Sequence, residues 1–184
     1  MRHAQRVRVW LASLGTSALL LAPGLNLNAQ SVSEDQVKAA YMYNFAKFVE
    51  WPPGDFASTT APFRFCVLDD RSFQSELIQV VKGKAIAGRP VIVVPVQNTD
   101  DFGNCHILFV GSSKADQLPH IIATLRNRSV LSVGETEGFV DEGGIISFVL
   151  QDNRVRFQVN HKAAKQAGLE ISSRLLAVAK VVIE

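Results

Sequence analysis

Three short and almost uninterrupted apolar runs, FRFCVL at 63–68, VIVVPV at 91–96 and CHILFV at 105–110, constrain this chain more than any other feature. They are rich in β-branched and aromatic residues and too short for buried helices, so they read as strands. The run at 91–96 is apolar enough to be expected buried on both faces. Between and after the runs the spacing turns helical. Asp69-Asp70-Arg71-Ser72 leads into Phe73, Leu77, Val80 and Val81 on one face, closed by Gly83, and 116–125 repeats the plan with Pro119 in its first turn, where proline is tolerated. A short fourth run follows at 130–133. Strands alternating with helices of about ten residues predict α/β units around a largely parallel sheet.

Both ends of the chain modify that plan. Near the C-terminus, runs at 145–150 and 155–159 are joined by the polar stretch Gln151-Asp152-Asn153-Arg154, which predicts a β-hairpin and so an antiparallel edge. Asn160 is a good N-cap for a helix over 161–167, Gly168 suits its C′ position, and Ser172-Ser173 is expected to start a last helix carrying Leu175, Leu176, Val178, Ala179 and Val182. At the other end, Ser33-Glu34-Asp35-Gln36 reads as a capping box before Val37, Tyr41, Asn44/Phe45, Phe48 and Val49 at helical spacing, stopped by Trp51-Pro52-Pro53. No linker, low-complexity tract or repeat follows residue 33. Residues 30–184 are therefore expected to form a single compact α/β domain, with a mixed, mostly parallel sheet, helices packed on it and the hairpin near its C-terminal end.

The 184 residues carry a net charge of +2, which invites an anionic partner until its location is considered. Arg2, Arg6 and Arg8 open the chain, no acidic residue precedes Glu34, and an apolar stretch of about 14 residues runs over 9–22. With Pro23-Gly24 and then Leu27-Asn28-Ala29, residues 1–29 have the pattern of a secretory signal cleaved after Ala29. A retained anchor is the alternative, but a spanning helix needs about 20 apolar residues. Residues 30–184 hold 16 basic and 17 acidic side chains, so the domain has no electrostatic case for nucleic acid. The periplasm of a Gram-negative bacterium is the expected location.

In such a compartment an even number of cysteines favours a disulfide between Cys66 and Cys105, although two separate buried thiols acting as small hydrophobes also fit their apolar surroundings. A metal site is poorly supported, because the pair has no CxxC spacing and only His106 nearby. The chain has no HExxH, GxSxG, Walker or strand-following GxGxxG pattern. The Gly-rich segment 138–144 precedes a strand rather than a helix and contains two acids, so a turn explains it better than a phosphate cradle. Nothing brings His106, His120 and His161 together. Asp69-Asp70 lies just past a strand end, where α/β folds often place functional groups, or else it caps the next helix. Trp51 with Phe45, Phe48 and Phe56 either lines a pocket for a flat ligand or belongs to the core. Catalysis and cofactors thus find no support, and binding is the class that remains.

Several stretches in order carry a resemblance. They are Val37-Lys38-Ala39-Ala40-Tyr41, the run Tyr43 to Pro52 (YNFAKFVEWP), Gly88-Arg89-Pro90, Cys105 to Val110, Gly138-Phe139 with Gly143-Gly144-Ile145-Ile146, and Phe157-Gln158-Val159-Asn160 leading to Ile171-Ser172-Ser173-Arg174-Leu175-Leu176. Together with the signal pattern they closely resemble the YfiR family of periplasmic proteins. The resemblance implies a regulator rather than an enzyme. It would bind the periplasmic sensor portion of an inner-membrane diguanylate cyclase of the YfiN type and repress cyclic di-GMP synthesis and biofilm formation, with an outer-membrane lipoprotein of the YfiB type relieving the repression. It also implies a compact α/β fold that tends to dimerise and a supporting disulfide at Cys66 and Cys105. For partner contact, the candidates are Trp51 and, near the last helix, Arg174 and Leu175, each equally compatible with core packing or a solvated face. The runner-up function is a periplasmic small-molecule binding module that senses an aromatic or nucleotide ligand. A hydrolase using Asp69 or Asp70 is a third reading without a nameable reaction.

Overall fold

The apolar runs become the inner strands of one sheet in the computed structural model, which describes residues 32–184. The expected signal segment, 1–29, lies outside the described residues. In chain order the elements are α1 (Glu34–Phe48), β1 (Val49–Glu50), β2 (Phe63–Leu68), α2 (Arg71–Val81), β3 (Ala85–Ile86), β4 (Arg89–Val96), β5 (Ile107–Val110), α3 (Leu118–Leu125), β6 (Leu131–Gly134), β7 (Ile146–Gln151), β8 (Arg154–Asn160), α4 (His161–Gln166), β9 (Glu170–Ile171), α5 (Ser173–Leu176) and β10 (Val181–Ile183). The main sheet has the order β10-β8-β7-β6-β5-β2-β4-β3. Strands β4, β2, β5, β6 and β7 run parallel, and β8 returns antiparallel to β7. The fold is therefore α/β with a mostly parallel sheet and an antiparallel hairpin, as the alternation of runs implied.

Alternate residues of each inner strand enter different cores. Phe63, Phe65 and Val67 of β2, with Ile107 and Phe109 of β5, meet Met42 and Phe45 of α1 and Phe73, Leu77 and Val81 of α2. Cys66, Leu68, Leu108 and Val110 point the other way, into a second core closed by Leu118, Ile121, Ile122 and Leu125 of α3. The expected caps form. Ser33 and Gln36 make a reciprocal capping box on α1, and Asp70 and Asn160 accept from the backbone of Phe73 and Ala163. The hairpin turn is tighter than its four polar residues suggested: only Asp152 and Asn153 lie outside the strands, both with positive φ, 50° and 56°, as a type I′ turn requires. In the Gly-rich segment, a Cβ on Gly144 would stand 2.1 Å from the Phe139 ring, and one on Gly134 2.3 Å from it. Those glycines leave room for a fully buried phenylalanine, so the segment is a turn packed around one ring.

Two expectations need correction. The strand at 91–96 is not buried on both faces. β4 lies next to the sheet edge, bounded outside only by the two-residue β3, and the connection from β4 to β5 is a 3-10 segment, Thr99–Asn104, rather than a covering helix, so Ile92 remains 37% exposed. Two prolines, Pro90 and Pro95, suit an edge position. The last helix is a single turn, Ser173–Leu176, after which Val181–Ile183 pairs parallel with β8. Helical spacing in a stretch this short is also compatible with a strand, and the β-branched end of the chain extends the ladder instead. On α1 the expected stripe is inward, with Phe45 and Val49 buried and Tyr41 and Phe48 partly so, and the buried face extends from it over Lys38, Ala39, Met42 and Ala46.

Candidate functional site

At the N-terminal ends of the parallel strands, His106 heads β5 with its ring between Phe56, stacked at 4.4 Å, and Phe63, stacked at 4.8 Å. Trp51 packs edge-on against Phe63 at 4.9 Å and donates its Nε1–H to the His106 carbonyl at 3.2 Å. Arg89 lies 3.9 Å over the Phe56 ring and donates to the carbonyls of Ser58 and Ala61. His106 Nδ1 accepts from the Arg64 backbone N–H at 2.9 Å, which leaves the proton of the neutral ring on Nε2. Burial, more than anything else, pushes its pKa down to about 4, against the pull of Asp55. The group is thus a neutral spacer in an aromatic stack whose faces are already occupied. The expected aromatic cluster divides accordingly: Phe45 is fully buried against Phe148 and Phe157, whereas Trp51 and Phe56 belong to the stack at His106.

The disulfide binds this end together. Cys66 and Cys105 are bonded, with their Cα atoms 5.7 Å apart, joining β2 to the segment that enters β5. Of the two readings the sequence left open, the bridge is the one observed.

The C-terminal ends of the same strands carry the charges. Asp69 and Asp70 follow β2, Ser112 follows β5 and Glu135 follows β6, in the crevice where open α/β sheets bind ligands. Here these groups engage one another. Asp70 caps α2, and Asp69, at φ 49°, pairs with Lys114 at 2.9 Å, which holds its carboxyl below the usual range. Lys38, buried on α1, bridges Glu34 and Glu135, the latter at 2.6 Å, while Glu135 also accepts from the Ser112 N–H at 3.0 Å. Burial works to lower the Lys38 pKa, but its hydrogen bonds to the two glutamates outweigh it and hold the ammonium charged. Burial likewise works to raise Glu135, and Lys38 and Ser112 outweigh it in the other direction. Asp35 is raised by burial, with the negative charges of Asp70, Glu135 and Glu34 adding to the effect against Lys38. The Lys38–Glu135 pair escaped the sequence reading, although a lysine in the apolar face of a helix was its signal.

The other singled-out residues lie apart. Arg174 is exposed on α5, and Leu175 beside it is buried in the core. The antiparallel pair β1–β9, Val49 with Ile171, joins the segments that carry Trp51 and Arg174, but the two residues leave that ladder in opposite directions. His120 is exposed on α3, and His161 meets Glu184 at 3.1 Å. Among the described residues no group of three His, Cys, Asp or Glu side chains is placed to hold a metal ion, and no helix is long and apolar enough to cross a membrane.

Comparison with solved structures gives two similar chains. An ABC domain from Streptococcus pneumonia in complex with L-Trp superposes with a TM-score of 0.55 at 14% identity over 79% of this chain. A conserved domain protein from Vibrio cholerae O1 biovar eltor gives 0.54 at 12% identity over 82%. This chain spans 60% of the length of either, and at such identities the likeness is one of fold. Comparison with curated proteins gives no match. A family model described as YfiR/HmsC-like matches residues 35–180.

Proposed function

The chain belongs to the YfiR/HmsC-like family, and from that premise we propose that it is a periplasmic regulator of diguanylate cyclase signalling. In its specific form the domain binds the periplasmic sensor portion of an inner-membrane cyclase of the YfiN type and represses cyclic di-GMP synthesis. A lipoprotein of the YfiB type relieves the repression, and the working unit is a homodimer. The observation that carries the reading is the extent of the family match, from the second residue of α1 to the residue before β10. The Cys66–Cys105 bridge supports the compartment, since disulfides persist where thiols are not kept reduced. Cleavage after Ala29 completes the route there.

For the contact surface we favour the turn around α5, where exposed Arg174 is followed by Val178, 68% exposed. An arginine beside an apolar side chain is the composition of an interface anchor. Trp51, packed against Phe63 and bonded to the His106 carbonyl, lies away from this turn and is not part of the surface. The test is deletion of the gene, followed by measurement of cyclic di-GMP and biofilm matrix. Both are expected to rise, to return with the wild-type gene, and to return only partly with Arg174→Glu. Unchanged cyclic di-GMP under several growth conditions would sink the regulatory reading, and full rescue by the variant would move the contact elsewhere.

A further inference from the structure

Where the strands begin, a cavity of about 480 Å³ opens between the loop before β2, the segment before β5 and the α3–β6 connection. Its size is that of a small-molecule site. Two half-buried arginines, Arg64 on β2 and Arg128 in the α3–β6 connection, contribute to its wall. Among the described residues neither guanidinium forms an ion pair or donates a hydrogen bond to a protein group, in contrast with Arg89, which satisfies two carbonyls. Each guanidinium presents five N–H donors in a fork that matches a carboxylate or a phosphate. The side chains of Asn104, Asn127 and Ser129 line the same cavity and likewise have no hydrogen-bond partner among the described residues, so the wall is rich in donors. The acid on the rim is Asp55, on an exposed loop, and it leaves the cavity with a net positive charge.

The wall is also held in place. The disulfide fixes the segment before β5 to β2, and so Asn104 relative to Arg64. Gly103 lets Arg128 lie close: a Cβ there would stand 2.8 Å from Arg128 Nη1. The charged groups of the opposite crevice, by contrast, are already paired with one another. We infer that this cavity is a binding site for a small oxyanion, a carboxylate- or phosphate-bearing molecule clasped by Arg64 and Arg128. The site stands on this geometry alone and does not depend on the regulatory reading.

The experiment is thermal unfolding of the purified, oxidised protein with inorganic phosphate or citrate, against sodium chloride at matched ionic strength. One of the two anions is expected to raise the midpoint by about 2–4 °C at concentrations well above its Kd. Which one does so separates phosphate from carboxylate recognition. In Arg64→Gln/Arg128→Gln the rise should vanish. If the double variant does not fold, Arg128→Gln, in a loop, serves alone and should weaken binding at least fivefold by calorimetry. No rise with either anion, or an equal rise in the variants, overturns the proposal.

Discussion

His106 is held in the form that carries no charge, and this makes it a source of acid sensitivity. The residue is 7% exposed, and its ring lies between two phenylalanines and accepts from a backbone N–H through Nδ1, so a second ring proton would displace a bond and charge a buried group. With the folded pKa at about 4 and the ordinary value at 6.5, the unfolded chain binds more protons between those limits. Stability is therefore complete above pH 6.5, falls as the pH drops and is fully lost from this group below pH 4, by up to roughly 3 kcal/mol. Denaturant unfolding at pH 7.5 and 4.5 checks it: His106→Gln should be less stable at pH 7.5 but lose less on acidification. Parallel losses in both proteins would remove His106 as the cause. Its position at the head of CHILFV made a strand start legible. Its surroundings were not, because Trp51, Phe56 and Phe63 come from 43 to 55 residues away and only the fold assembles them.

At the scale of elements, α1 is fastened to the sheet by one ion pair in addition to its apolar face. Lys38, whose side chain is 9% exposed, reaches Glu135 at the end of β6, 97 residues later. Lys38→Met would keep the packing of the stem and leave the Glu135 carboxylate facing Asp70 and Asp35 without its cation. Removing one partner of a largely buried pair costs about 3 kcal/mol, less where solvent reaches the carboxylate. The expected result at pH 7 is a loss of about 2–3 kcal/mol, largely recovered in Lys38→Met/Glu135→Gln, which removes the stranded charge. A double variant as weak as the single one would show that α1 depends on the lysine for packing alone. The elements themselves were largely legible, because caps, prolines and apolar runs act locally. The misreadings, β4 as doubly buried and 172–182 as one helix, share a cause. Burial and pairing at a sheet edge are decided by what lies across space, and β3, β9 and β10 are too short to announce themselves by periodicity.

The whole domain is closed by the Cys66–Cys105 bond, which encloses β2, α2, β3, β4 and the return to β5 in a loop of sequence separation 39. That loop contains the strand order's reversal: from β2 the chain crosses to β4 on one side and comes back to β5 on the other. Until the crossing is complete neither neighbour of β2 is in place, so the unbridged unfolded chain must meet the entropy cost of two non-local pairings. In the chain-entropy account the bridge restricts that ensemble by about 4 kcal/mol, a large share of the 5–15 kcal/mol typical of a domain. Reduced protein, and Cys66→Ser with Cys105→Ser, are therefore expected to unfold at much lower denaturant, by about 4 kcal/mol, with the folded sheet unchanged by circular dichroism. Folding should slow as well, since β2 loses its tether to β5 before the crossover forms. The decisive measurement is the pair of folding and unfolding rates of the oxidised and double-serine proteins. If the bond acts through the unfolded chain, its removal lowers the folding rate and leaves unfolding nearly unchanged, whereas a loss confined to faster unfolding would place its contribution in native packing around β2 and β5.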